Sequence, residues 1–128
     1  MSDKIVQWSK NYPFDLLSTI SFFSYKVNPA SGSYTNPDQI LEWRNTKLID
    51  SAKAKNTRVL LTISSHGRNN NDIFLEDENK WITLIDSVST LINYRNADGV
   101  DINFENLPYF KWTECNRFIK EMRVNLDV

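Results

Sequence analysis

The most informative segment of this 128-residue chain is Asp98-Gly99-Val100-Asp101-Ile102-Asn103-Phe104-Glu105. Apolar and polar residues alternate in it, which is typical of a β-strand because successive side chains point to opposite faces. Asp101, Asn103 and Glu105 would share one face, and the apolar residues between them the other. Asp, Asn and Glu are poor strand formers. Three of them in alternation therefore indicate a functional face rather than a solvated edge strand.

Two other short segments also have the composition of strands. Ser18 to Tyr25 is rich in β-branched and aromatic residues, and Arg58 to Ser64 is almost continuously apolar, as in a strand covered on both faces. Between and after the strands, apolar residues recur at helical spacing. We expect helices over residues 37–54, 78–95 and 111–125.

The element order predicts the fold class. Strands that start near residues 18, 58 and 99 alternate with helices, which is typical of repeated β/α units in a parallel sheet. The sheet could close as a (β/α)8 barrel or stay open and doubly wound. The three glycines form neither a GxGxxG motif nor a P-loop, which disfavours the open sheet. We predict an α/β fold, a partial (β/α)8 TIM barrel with three parallel strands alternating with helices. Residues 1–128 would form a single, incomplete domain, since a whole barrel needs about 250 residues.

Composition excludes several classes of function. Fifteen basic and sixteen acidic residues give a net charge of −1, which provides no electrostatic footprint for nucleic acid. No segment approaches the roughly 20 apolar residues of a membrane span, and the start of the chain lacks the apolar stretch of a signal peptide. The single Cys115 suggests a packed thiol, and the single His66 excludes a multi-histidine metal site. No metal or cofactor is expected.

Position along the strand separates the three polar residues. At about 3.3 Å per residue, Asp101 would lie ~13 Å below Glu105. Glu105 would therefore reach the C-terminal rim, where barrel enzymes hold their active sites. Buried polar groups at the lower positions must hydrogen-bond one another, because unpaired burial is costly.

The segment from Asp98 to Glu105 resembles the D-G-x-D-x-D-x-E signature of the family 18 glycoside hydrolases, the chitinase group. Ser21 to Pro29, followed by Gly32, looks like that family's second strand and loop, and Val59 to Ile63 like its third strand. Ser64-Ser65-His66-Gly67 is a partial match to the turn that follows. The resemblance extends from about Trp8 onward and covers the second to fourth β/α units. It implies that the first strand, before Trp8, and the last four strands are missing, and that the hydrolytic activity of this chain on its own is poor or absent.

The resemblance implies a substrate-assisted, retaining hydrolysis of β-1,4-linked N-acetylglucosamine polysaccharide. Glu105 matches the general acid, and Asp101 matches the inner aspartate that helps to keep Glu105 protonated. Asp98 and Gly99 match the structural start of the motif. Asn103 departs from the family, which usually has an aspartate there to accept the acetamido N–H and to offset the developing positive charge. Weaker or altered catalysis, or none, is expected from the asparagine.

Aromatic residues near the strand ends are candidates for stacking on sugar rings. Phe23 and Tyr25 are expected to share a strand face near the rim, and Tyr25 is the preferred candidate because it ends its strand on the site side. Tyr109, Phe110 and Trp112 follow the catalytic strand and are further candidates. His66 is interpreted as a loop or supporting residue rather than a catalytic base.

Three functions stay open at this point. The chain is a chitinase-like hydrolase, a catalytically weak or inactive sugar-binding relative, or a scaffold module. The expected partner is an N-acetylglucosamine-containing polysaccharide, either chitin or peptidoglycan, with no nucleic acid and no membrane span. Open sheet edges would also favour self-association. The resemblance implies a secreted or cell-envelope parent protein.

Overall fold

The computed structural model describes residues 4–8 and 19–126. Its parallel strands are β1 (Ile5–Trp8), β2 (Thr19–Lys26), β3 (Arg58–His66) and β4 (Gly99–Glu105). Its helices are α1 (Pro37–Asn45), α2 (Lys47–Ala54), α3 (Arg68–Leu75), α4 (Glu78–Arg95) and α5 (Trp112–Leu126), with a 3-10 turn at Tyr109–Lys111. The predicted start of the first strand at Ser18 lies outside the described residues.

The four strands form one parallel sheet in the order β1-β4-β3-β2. Strands β2, β3 and β4 lie side by side in chain order, with helices between them, as successive units of a β/α barrel do. The predicted α/β class, with parallel strands alternating with helices, is confirmed. Because β3 and β4 are parallel neighbours, their C-terminal ends lie at the same end of the sheet, where Glu105 is the last residue of β4.

The N-terminal strand departs from the expectation that no strand precedes Trp8. Strand β1 pairs with β4, with Ile5 beside Gly99 and Trp8 beside Ile102. In a barrel whose neighbouring strands are consecutive in the chain, the side of β4 opposite β3 would pair with the next strand along the chain. Here β1 occupies the edge instead, and the described sheet has four strands rather than three. Four residues are too few to show a clear alternation, so the sequence pattern did not reveal this strand.

Two helical segments also differ from the sequence expectation. The predicted helix over 37–54 is broken at Thr46, whose extended backbone starts a new helix and whose side chain accepts a hydrogen bond from the Leu48 N–H. No helix is expected from the sequence over residues 68–75, and asparagines dominate the first turn of the observed α3. It forms because Phe74 and Leu75 are buried against the core, and such packing overrides weak propensity. Helix α4 has the predicted bounds.

The core lies between the sheet and the helices. Alternate residues of the central strands, including Leu61, Ile63 and Ile102, are fully buried there. Trp43 is also fully buried, and its indole N–H donates a 3.0 Å hydrogen bond to the Leu91 carbonyl, which satisfies its polar atom. Across residues 4–8 and 19–126, no helix is both long enough and apolar enough to cross a membrane.

Candidate active site

The three polar residues of β4 become progressively more exposed toward its C-terminal end. Asp101 is buried, Asn103 is half-buried, and the side chain of Glu105 is 57% exposed. The apolar residues between them, Ile102 and Phe104, are buried. This gradient protects the polar side chain at the start of the strand from solvent and leaves the Glu105 carboxyl accessible at the rim.

Glu105 has a histidine as its immediate neighbour. His66 ends β3 in register with Glu105, and its Nδ1 lies 3.2 Å from Oε2 of the carboxylate. Both side chains are 57% exposed, so the pair is open to solvent and to a ligand. His66 lies at the end of a strand and not in a loop, which corrects the expected location of this residue.

Polar residues of the neighbouring strands line the same face of the sheet. Thr62 lies in register with Asp101, and Ser64 lies in register with Asn103. The hydroxyls of Ser64 and Ser24 are 3.0 Å apart in a buried hydrogen bond. This mutual hydrogen bond allows the two serine hydroxyls to be buried on the polar face. The alternation of Thr62, Ser64 and His66 along β3 is a signal that could have identified this face, but the nearly continuous apolar character of the strand obscured it.

A buried amide holds the end of β4 in place. Asn71 is fully buried, and its Nδ2 donates a 2.7 Å hydrogen bond to the backbone carbonyl of Glu105. Its Oδ1 accepts a 2.5 Å hydrogen bond from the Ser65 hydroxyl. The Gly67 N–H donates to the same Glu105 carbonyl at 3.3 Å. This network fixes the backbone that carries the carboxyl. Nothing in the run of asparagines distinguished Asn71 beforehand.

The first two motif residues hold the opposite end of the strand. Asp98 accepts a 2.8 Å hydrogen bond from the Val59 N–H through Oδ2, which ties β4 to β3. Gly99 packs directly against β1, because a Cβ there would lie 1.8 Å from the Ile5 carbonyl oxygen. Both positions lie at the end of β4 that is remote from Glu105.

The structure separates the two aromatic candidates of β2. Tyr25 is fully buried, its hydroxyl donates a 2.8 Å hydrogen bond to the Gly32 carbonyl, and its ring packs edge-on against Tyr34. A register irregularity between Phe22 and Tyr25 turns Tyr25 into the core, whereas Phe23 stays 56% exposed. The expectation that the two rings share a face is therefore corrected. Tyr25 offers no surface to a sugar, and Phe23 does.

Burial of Tyr25 predicts a specific alkaline weakness. Burial raises its pKa to about 12, with a smaller rise from Tyr34 and an opposing hydrogen bond from Ser87. Below about pH 10 both folded and unfolded chains keep the proton, but between about pH 10 and 12 only the folded chain does, so stability falls as pH rises. Over this pH range we expect the free energy of unfolding of Tyr25→Phe to fall by about 2–3 kcal/mol less than that of the wild-type chain.

The measurement is urea unfolding at pH 9 and at pH 11.5 for both proteins. Tyr25→Phe should start about 1 kcal/mol less stable, because it lacks the hydrogen bond to Gly32. The wild-type chain should then lose more stability than the variant at the higher pH. Parallel losses in the two proteins would contradict the assignment.

The described residues supply no metal site. Within residues 4–8 and 19–126, no three His, Cys, Asp or Glu side chains lie close enough together to hold an ion. Cys115 is buried in α5, and burial raises the pKa of its thiol to about 12, which makes it a poor nucleophile at neutral pH. The polar groups that the structure brings together at the ends of β3 and β4 are carboxyl, imidazole, amide and hydroxyl groups.

This fold is that of a glycosidase-like, partial β/α barrel. It is similar to a chitinase from Bacteroides thetaiotaomicron, with a TM-score of 0.72 and 13% identity over 97% of this chain and 43% of that one. It is also similar to a proposed sporulation-specific glycosylase, ydhD, from Bacillus subtilis, with a TM-score of 0.71 and 18% identity over 84% of this chain and 35% of that one. This chain thus spans less than half of either protein. No family model and no curated protein matches the sequence.

Proposed function

We propose that this chain carries the catalytic strand of a family 18-type glycoside hydrolase that cleaves β-1,4-linked N-acetylglucosamine polysaccharide. The observation that supports this most strongly is the graded burial of Asp101, Asn103 and Glu105 along one face of β4. The glycosidase-like fold adds support. Hydrolysis of a chromogenic chito-oligosaccharide tests the proposal, with Glu105→Gln as the decisive variant.

In the proposed mechanism, Glu105 is the general acid. Its proton passes to the glycosidic oxygen as the bond from that oxygen to the anomeric carbon breaks. The carbonyl oxygen of the substrate's own 2-acetamido group bonds to the anomeric carbon and forms an oxazolinium ion. Water then attacks that carbon, the ring opens, and the Glu105 carboxylate takes the proton from the water. Two displacements at one carbon retain its configuration.

The remaining groups orient and stabilise the reacting atoms. The amide oxygen of Asn103 accepts the acetamido N–H, which holds the carbonyl oxygen toward the anomeric carbon. The buried carboxyl of Asp101 lies below it and supports the polar face. His66, 3.2 Å from Glu105, restricts the orientation of the carboxyl. A group that is already held in the productive orientation increases the rate, because the entropy of ordering it is lost before the reaction begins.

Asn103→Asp is expected to raise the rate of cleavage. An aspartate would keep the acceptor for the acetamido N–H and add a negative charge beside the oxazolinium ion, where electrostatic stabilisation has a large effect on rate. We expect kcat on a chromogenic N-acetylglucosamine oligomer to rise about tenfold or more. Since Asn103 is only half-buried, the variant should fold normally, which circular dichroism checks. An unchanged kcat in an active enzyme would refute this role for position 103.

The alternative function is a catalytically weak or inactive carbohydrate-binding relative. One observation favours it, namely that Asn103 carries no charge to stabilise a cation. This alternative predicts that the chain binds N-acetylglucosamine oligomers but releases no chromophore from them, and that Asn103→Asp restores cleavage. Binding that is accompanied by Glu105-dependent cleavage would exclude it.

A further inference from the structure

Three aromatic side chains beside the candidate active site are exposed to solvent. Tyr109, Phe110 and Trp112, which we term the aromatic strip, are 73%, 50% and 61% exposed. They follow Glu105 closely in the chain, in and just after the 3-10 turn between β4 and α5. Exposure of one such ring is ordinary, but three within four residues beside a candidate site indicate a binding surface.

Two of the three rings pack against each other. Tyr109 and Phe110 pack edge to face, with centroids 5.8 Å apart and planes at 82°. Lys111 between the strip residues is only 14% exposed and pairs with Asp72 of α3 at 3.4 Å, which anchors the turn to the neighbouring helix. Rigid aromatic rings lose little entropy when a ligand covers them.

A cleft of about 320 Å³ opens beside Tyr109. Its lining consists of Arg68, Asn106, Leu107, Pro108 and Tyr109. Asn106 directly follows Glu105, so the cleft begins next to the C-terminal end of β4. Leu107, Pro108 and Tyr109 supply apolar lining and Arg68 and Asn106 supply polar lining, and such a mixture is typical of a small-ligand site.

Arg68 gives the cleft a positive charge. This residue begins α3, and its guanidinium lies 5.8 Å from the centre of the Phe110 ring. Arg68 is exposed and forms no ion pair with any residue in 4–8 or 19–126, and the lining just named contains no carboxylate. Its donor fork is therefore open to an anion, and guanidinium matches a carboxylate with two parallel hydrogen bonds.

We propose that this cleft and the aromatic strip bind a glycan whose sugars carry carboxylate substituents. The apolar faces of the pyranose rings would lie on Tyr109 and Phe110, and a substituent carboxylate would pair with Arg68. The proposal rests on the proposed function, because the cleft and the aromatic strip would bind the part of the same sugar chain that extends beyond Glu105. It also selects an acidic polymer over a neutral one.

The test compares two tetrasaccharides in a Glu105→Gln background, where neither is cleaved. One is β-1,4-linked N-acetylglucosamine, and the other is the same chain with a lactyl ether carboxylate on alternate sugars. Isothermal titration should show about fivefold to tenfold tighter binding of the acidic chain, since a charge-assisted hydrogen bond at an exposed site has a modest net effect. Adding Arg68→Gln should abolish that preference, and adding Tyr109→Ala should weaken both ligands.

The matched control is Arg123→Gln, which removes an equal charge from an exposed position on α5. It should leave the preference intact. Equal binding of the two tetrasaccharides, or a preference that survives Arg68→Gln, would overturn the proposal. So would a sedimentation measurement in which the chain self-associates and Tyr109→Ala dissociates it, since a second copy would then cover the strip. Because no ligand is cleaved in this background, these results are independent of whether Glu105 catalyses hydrolysis.

Discussion

Glu105→Gln is expected to lower kcat for cleavage of a chromogenic chito-oligosaccharide by about 10²–10⁴-fold, the usual contribution of general acid–base catalysis. Glutamine has nearly the same shape and can still contact His66, but it cannot deliver a proton to the leaving oxygen or recover one from water. The carboxyl is 57% exposed, and its contact with His66 is open to solvent. Exposed pairs contribute little to stability, so the loss should be chemical and not structural.

Glu121→Gln provides the matched control for this experiment. Glu121 is exposed on α5, away from the end of β4, and the same change there should leave kcat unaltered. Both variants should unfold at the urea concentration of the wild-type chain. Full activity of Glu105→Gln would refute the assignment of Glu105 as the acid. Absence of Glu105-dependent cleavage even in Asn103→Asp would refute the proposed hydrolase.

Phe118→Ala is expected to cause the largest loss of stability. Phe118 is fully buried in α5, and its ring lies between those of Phe74, Phe104 and Trp81, with centroids 5.3, 5.8 and 6.0 Å away. Removal of a buried phenyl ring loses its transfer free energy and leaves a cavity, which costs about 3–5 kcal/mol. The free energy of unfolding of a native domain is only about 5–15 kcal/mol, so the substitution would remove much of the stability of this chain.

Phe110→Ala makes the same chemical change at a half-exposed position. It should lower the free energy of unfolding by only about 0.5–1 kcal/mol, because little apolar contact is lost. Urea unfolding followed by tryptophan fluorescence measures both variants. If Phe118→Ala fails to fold, Phe118→Leu serves instead, with an expected loss of about 1.5 kcal/mol. Equal effects at positions 110 and 118 would show that the aromatic cluster is not the centre of the core.

Local pattern in the sequence determined the central elements. The alternation from Gly99 to Glu105 predicted both the strand and its polar face, and apolar spacing predicted α4 to its exact bounds. Such periodicities depend on residues that are close in the chain, so they can be recognised without knowing which distant segments pack against the element. The same pattern identified Glu105 as the residue at the rim, and the structure leaves it exposed there.

Contacts between distant residues decided the rest. Strand β1 could have paired at either edge of the sheet, and its choice of β4 depends on Ile5 meeting Gly99, 94 positions away. Helix α3 exists because Asn71, Phe74 and Leu75 are buried, against the preference of its first turn. That helix brings Asn71 to the Glu105 carbonyl. Packing of this kind exists only after the chain has folded, because it is the neighbouring elements that supply the partners, and no local pattern records them.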